Sequence, residues 1–182
     1  MKKSVHKTVY AFIDSQNLNL GTNKDIYRDN KKIYSGWSLN FVKFHRYLSD
    51  KFRVTKALLF IGYIAKNKPL YAHLSHAGYT LVFKQTTKDR DGKPKGNVDA
   101  ELVLHASAKE FNNYDTAIIV SGDGDFYCLH EYLLEHAKLG RIIIPNSLSE
   151  SSLLKKFVKY KTYIQFEKPK LQKVIKNERR RA

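Results

Sequence analysis

Two short apolar runs, each ending on an acid, constrain this chain more than any other feature. Residues 117–120 (AIIV) are wholly apolar and rich in β-branched side chains, the pattern of a strand buried on both faces. The run stops at Ser121-Gly122-Asp123-Gly124-Asp125, after which an amphipathic pattern resumes. Strand, acidic glycine turn, helix: that order places Asp123 and Asp125 at the carboxyl end of a sheet strand, where open α/β sheets bind ligands. Residues 8–13 (TVYAFI) form a second such strand, ending at Asp14. Taken alone, Asp14 is a weak signal, because a turn or N-cap role is the commoner one for an Asp after a strand.

Further strands are expected over 54–64, 79–85, 141–145 and 161–166, and helices over 38–49, 69–77, 98–111, 125–139 and 148–157. Strands alternating with helices imply an α/β fold with a mainly parallel central sheet of about five to six strands, covered on both faces. On the helix expected from 98, Asp99 heads a stripe that continues through Leu102, Val103 and Ala106. That position aims Asp99 at the sheet edge, toward Asp14 and Asp123. Cys128 is read as packing and Gly140 as the end of the helix before it. The division is one domain over 1–166 and a basic C-terminal tail over 167–182, where apolar residues thin out among lysines and arginines.

Charge narrows the partners. Lys and Arg total 33 against 17 Asp and Glu, a formal +16, which points to a polyanion, nucleic acid ahead of an anionic membrane. Residues 22–36 interleave Lys24, Arg28, Lys31 and Lys32 with Tyr27 and Tyr34, and Trp37 follows. Basic residues among aromatics suit phosphate contact and base stacking; a surface loop with its aromatics turned inward is an equal reading. Lys88, Arg90, Lys93 and Lys95 form a second basic loop. A single cysteine excludes an internal disulfide and a cysteine zinc cluster. No apolar run approaches a membrane span and the N-terminus lacks a signal-peptide core, so a cytoplasmic location is expected. Neither phosphate-binding glycine fingerprint of the nucleotide-binding folds occurs.

Acids gathered on one rim repel one another, and a cation normally offsets them. All-oxygen donors favour Mg²⁺ or Mn²⁺ over Zn²⁺, and an acidic metal rim on a basic body suits phosphodiester hydrolysis.

Four segments then carry a resemblance. Phe12-Ile13-Asp14-Ser15-Gln16-Asn17 is similar to the opening D-x-x-N motif of NYN domains, within the PIN-like nuclease group. In order, Gly36-Trp37-Ser38-Leu39-Asn40-Phe41, Lys95-Gly96-Asn97-Val98-Asp99 and Ser121-Gly122-Asp123-Gly124-Asp125-Phe126 resemble segments of its LabA-like branch. The resemblance implies a three-layer Rossmann-like PIN-type fold and a metal-dependent ribonuclease, acting on single-stranded or structured RNA. Asp14, Asp99 and Asp123 would be catalytic, with Asp125 joining them as a metal ligand. Asn17 and Ser121 would orient substrate or ligands, and Arg28, Lys31, Lys32, Trp37, Lys93 and Lys95 would contact RNA. The family pattern often has a further Asp six residues after the position of Asp99, where this chain has His105. Two alternatives stay open: a non-catalytic RNA-binding module on the same fold, and a toxin-like nuclease controlled by a partner protein. A homodimer is also open.

Overall fold

Residues 9–14 form the axis of the molecule. The computed structural model describes residues 7–84 and 98–174, with the backbone of two short strands at 87–88 and 94–95. In chain order the elements are β1 (Val9–Asp14), α1 (Ser15–Asn23), β2 (Ile26–Arg28), β3 (Lys31–Tyr34), α2 (Phe41–Phe52), β4 (Lys56–Gly62), α3 (Lys68–His76) and β5 (Tyr79–Lys84). They continue with β6 (Thr87–Lys88), β7 (Pro94–Lys95), α4 (Val98–Leu104), β8 (Thr116–Val120), α5 (Tyr127–Glu135), β9 (Leu139–Ile144), β10 (Lys161–Tyr163) and α6 (Lys168–Leu171).

The main sheet has six strands in the order β10-β9-β8-β1-β4-β5, and every pairing in it is parallel. Its two faces bury separate cores. One packs Leu18 of α1, Phe44 and Leu48 of α2, Leu74 of α3 and Leu171 of α6 against Ala11, Ile13 and Leu59. The other packs Leu102 of α4 and Leu129 and Leu133 of α5 against Phe12, Phe60 and Ile119. A three-layer α/β fold of the PIN-like type results. The chain runs outward from β1 through β4 and β5 on one side, and from β8 through β9 and β10 on the other. Strand order therefore reverses between β1 and β8, and the crevice that such a reversal opens lies beyond Asp14 and Val120.

Local chemistry moves several expected boundaries. Residues 15–21 read as a polar turn, yet α1 begins at Ser15 because Asp14 caps it, accepting from the Gln16 and Asn17 amides. Residues 22–36 show no period because they form a small antiparallel hairpin, β2 with β3. The helix expected over 98–111 leaves α-geometry after Leu104 and passes through a π-turn at His105–Lys109. Gly140 is not a helix terminator: it lies inside β9, where a Cβ would collide with Thr116. The helix expected over 148–157 is a pair of 3-10 segments, Ser147–Ser149 and Ser152–Tyr160.

The expected tail is also shorter than its composition suggests. Leu171 is buried in the core, the Asn40 amide donates to the Leu171 carbonyl (2.8 Å), and the Lys173 amide donates to the Ser38 carbonyl (2.8 Å). Residues 168–174 thus belong with the domain, and 175–182 lie outside the described residues. Among the described residues, no helix is long and apolar enough to cross a membrane.

Candidate active site at the carboxyl edge

The turns after β1 and β8 meet in the crevice and are cross-linked. Asp14 is 4% exposed; its Oδ1 accepts from the Gln16 and Asn17 amides, each at 3.0 Å. The Ser121 hydroxyl, fully buried, donates to Asp14 Oδ2 at 3.5 Å. Ser121 Oγ in turn accepts from the Asp123 amide at 3.2 Å. Asn17 Oδ1 accepts from the Gly122 amide at 2.9 Å, tying the first turn of α1 to the turn after β8. Asp123 caps the 3-10 turn Gly124–Phe126, its Oδ1 accepting from the Asp125 amide at 3.1 Å. Gly124 is required there, because a Cβ would collide with the Ser151 side chain.

These contacts fix Asp14 and Asp123 at one cavity of about 270 Å³ that Asp99 also lines, together with Gln16, Asn17, Leu20 and Lys84. Three elements supply the acids: the end of β1, the first turn of α4 and the turn after β8. Burial pushes the Asp14 carboxyl above its ordinary value, and repulsion from Asp99 and Asp123 adds to the effect; the two amide hydrogen bonds pull the other way. Asp99 is raised too, chiefly by desolvation, then by Asp123 and Asp125, against the opposing charge of Lys84. Raised carboxyl groups mark a pocket of excess negative charge, which a proton or a cation relieves.

Among the described residues, no three Asp, Glu, His or Cys side chains stand as a finished set of metal ligands. The acids share a cavity, not a coordination sphere. Their chemistry nonetheless fits a hard divalent ion: every donor facing the cavity from the acids is oxygen, and Mg²⁺ keeps several waters while leaning on one or two carboxylates.

The remaining expected site residues disperse. Asp125 is exposed and not among those lining the cavity, though its charge reaches Asp99. Ser121 is wholly buried, so it positions Asp14 and Asp123 and cannot touch a substrate. Trp37 is corrected in the same way: it is 6% exposed, and its indole N–H donates to the Tyr34 hydroxyl at 2.6 Å. A ring enclosed in the core offers no face for stacking. Arg28 and Lys31 are exposed on the β2–β3 hairpin, and Lys32 pairs there with Asp25 at 2.5 Å. Lys93 and the Lys95 side chain lie outside the described residues. His105 does not line the cavity; its ring meets Phe60 edge-on at 5.4 Å, with Nε2 3.8 Å from Glu101.

Lys84, Gln16 and Leu20 are the lining residues that the sequence reading passed over. Lys84 closes β5 two strands from β1, a placement that only the strand order reveals.

The NYN domain family model matches residues 8–165. Among solved structures, the chain is similar to a protein of unknown function from Vibrio parahaemolyticus, with a TM-score of 0.64 and 23% identity, covering 89% of this chain and 96% of that one. At that identity the likeness is one of fold. No curated protein matches the chain significantly.

Proposed function

Because this chain belongs to the NYN domain family over residues 8–165, we propose that it is a metal-dependent ribonuclease. One observation carries the reading. Asp14, Asp99 and Asp123 arrive from separate elements at one polar cavity, at the strand-order reversal of a protein with a net charge of +16.

Asp14 is the fixed member of the group. Two backbone amides and a buried hydroxyl set its orientation, so it gains little freedom when positive charge enters and need not reorganise. Asp123 and Asp99 are the more accessible members, and both line the same cavity. Asn17 keeps the two turns in register through Gly122. Lys84, on the cavity wall, supplies positive charge where a phosphate would approach. When bound, Mg²⁺ or Mn²⁺ would supply water activation and offset negative charge on the scissile phosphate.

Labelled RNA incubated with the protein and Mn²⁺ or Mg²⁺ is expected to be cut, and Asp14→Asn or Asp123→Asn to stop cutting. Intact RNA with the wild-type protein, or unchanged cutting by both variants, overturns the reading. His105, where the family pattern often has an acid, favours one competitor, an RNA-binding module without catalysis. It predicts binding that Asp123→Asn leaves intact and no product at any metal concentration.

A further inference from the structure

A larger groove adjoins the acid cavity. It encloses about 860 Å³ between α1, α2, α3 and the ends of β4 and β5, and it shares Gln16 and Lys84 with the acid cavity. That volume is within the range of sites that bury small ligands, roughly 300–1,000 Å³. Its floor is apolar, from Leu59 and Ile61 of β4 and Leu74 of α3. At the rim, Val42 and Leu70 remain 46% and 42% exposed. Asn67 and His73 add hydrogen-bonding groups to the walls. Lysines stand at both ends: Lys84 toward the acids, and Lys43 with Lys173 on the far side.

The far wall is built, not incidental. Lys173 and Gln172 lie along residues 38–40 through the Lys173–Ser38 amide bond and the Leu39–Gln172 bridge. Lys43 Nζ donates to the Gln172 carbonyl at 3.3 Å, holding one cation at the groove edge.

We infer that this groove seats the unpaired bases of a single-stranded RNA whose phosphate chain passes Lys84 to reach the acids. The inference rests on the ribonuclease reading and adds a subsite and a substrate form to it. Apolar walls take base faces, amide and imidazole groups read base edges, and lysines at the two ends take phosphates. A duplex cannot fill the groove, because its bases are stacked and paired with each other. Continuity with the acid cavity and the strong positive charge of the chain select a polyanion over a protein or a neutral small molecule.

The test measures binding of a short fluorescent oligouridylate, and of the corresponding duplex, to the full-length protein in EDTA, where no cleavage is expected to consume the probe. Leu70→Glu and Val42→Glu place a carboxylate at the rim on side chains already exposed. Leu134→Glu, on α5 at the opposite face of the sheet and 41% exposed, makes the same charge change away from the groove. Single-strand affinity is expected to fall about tenfold in the two rim variants, the size of one lost base contact. It should fall much less in Leu134→Glu, with duplex affinity changing equally in all three. Equal loss in all three variants, or none in the rim pair, overturns the inference. Circular dichroism of each variant separates lost binding from lost fold. Failure of the ribonuclease reading shows itself elsewhere, as RNA bound but uncut when Mn²⁺ is restored.

Discussion

Asp14 and His130 are both buried ionisable side chains, and the protein treats them in opposite ways. Asp14 is surrounded by donors, two amides and a hydroxyl, yet burial and neighbouring acids still hold its carboxyl above the ordinary range. His130, on α5, is fully buried with neither ring nitrogen hydrogen-bonded; its ring meets Phe157 edge-on at 5.4 Å. Burial pushes it down to about 4. The histidine is kept neutral at the expense of two unsatisfied nitrogens, and behaves as a core group. The carboxylate is oriented as if to be used charged, in a place where charge is unfavourable until a partner arrives. The rim stores electrostatic tension that the core beneath it does not.

The largest test of this contrast is catalytic. Asp14→Asn keeps the capping oxygen and removes the charge, and RNA cleavage should fall by about 10³-fold, the scale of losing one preorganised electrostatic contact. The apo protein should nonetheless melt a few degrees higher, since roughly 1 kcal/mol corresponds to about 2–4 °C at this size. A lower melting temperature would mean that the burial of Asp14 is not opposed by its charge. The advantage has a defined pH sense. A carboxyl with a raised folded pKa favours folding when protonated, so wild type closes the gap as pH falls toward the ordinary carboxylate range.

For His130 the direction reverses. Its folded pKa is depressed, so protonation favours the unfolded chain, and stability is lost as pH falls below about 6.5 toward about 4. The loss from this residue alone is on the order of 3 kcal/mol, taking about 1.4 kcal/mol per pH unit across that window. Denaturant unfolding of wild type and His130→Leu at several pH values should show the difference between them widening by that amount. A difference that stays constant with pH would break the comparison.

Next in size is the effect of cations. Mn²⁺ at about tenfold over its Kd should stabilise wild type by about 1.4 kcal/mol and leave Asp14→Asn almost unmoved in a thermal melt. Equal stabilisation of both would place the ion away from Asp14. Smallest is Asn17→Ala, which unpairs the Gly122 amide and should cost about 1 kcal/mol. If Asn17 holds the two turns in register, cleavage falls in this variant while RNA affinity does not.

The residues that carry the contrast were unequally legible in the sequence. Asp14 and Asp123 end apolar strands, and strand direction in a parallel sheet brings such ends to one edge, so their meeting could be read from pattern alone. Asp99 was legible through its place at the head of a helical stripe. Lys84 was not: a lysine at the end of a strand is unremarkable until strand order sets β5 beside β4. Trp37 misled because composition cannot tell an aromatic that faces a ligand from one that faces the core. The basic run after 167 misled for a related reason, since Leu171, a single apolar residue among lysines, is enough to dock it. His130 gave no sign of its burial beyond lying one residue after Leu129 on an amphipathic helix.

The stitch between residues 171–173 and 38–40 sets the limits within which the domain can be trimmed or fused. A cut after Glu167 would withdraw Leu171 from its socket and remove one wall of the groove, so any loss of RNA binding would report damage as well as missing charge. A cut after Val174 leaves socket and wall in place and removes residues 175–182, in which Lys176, Arg179, Arg180 and Arg181 outweigh the single acid Glu178. The two truncations, differing by only a few residues, ask different questions: one about architecture, the other about electrostatics.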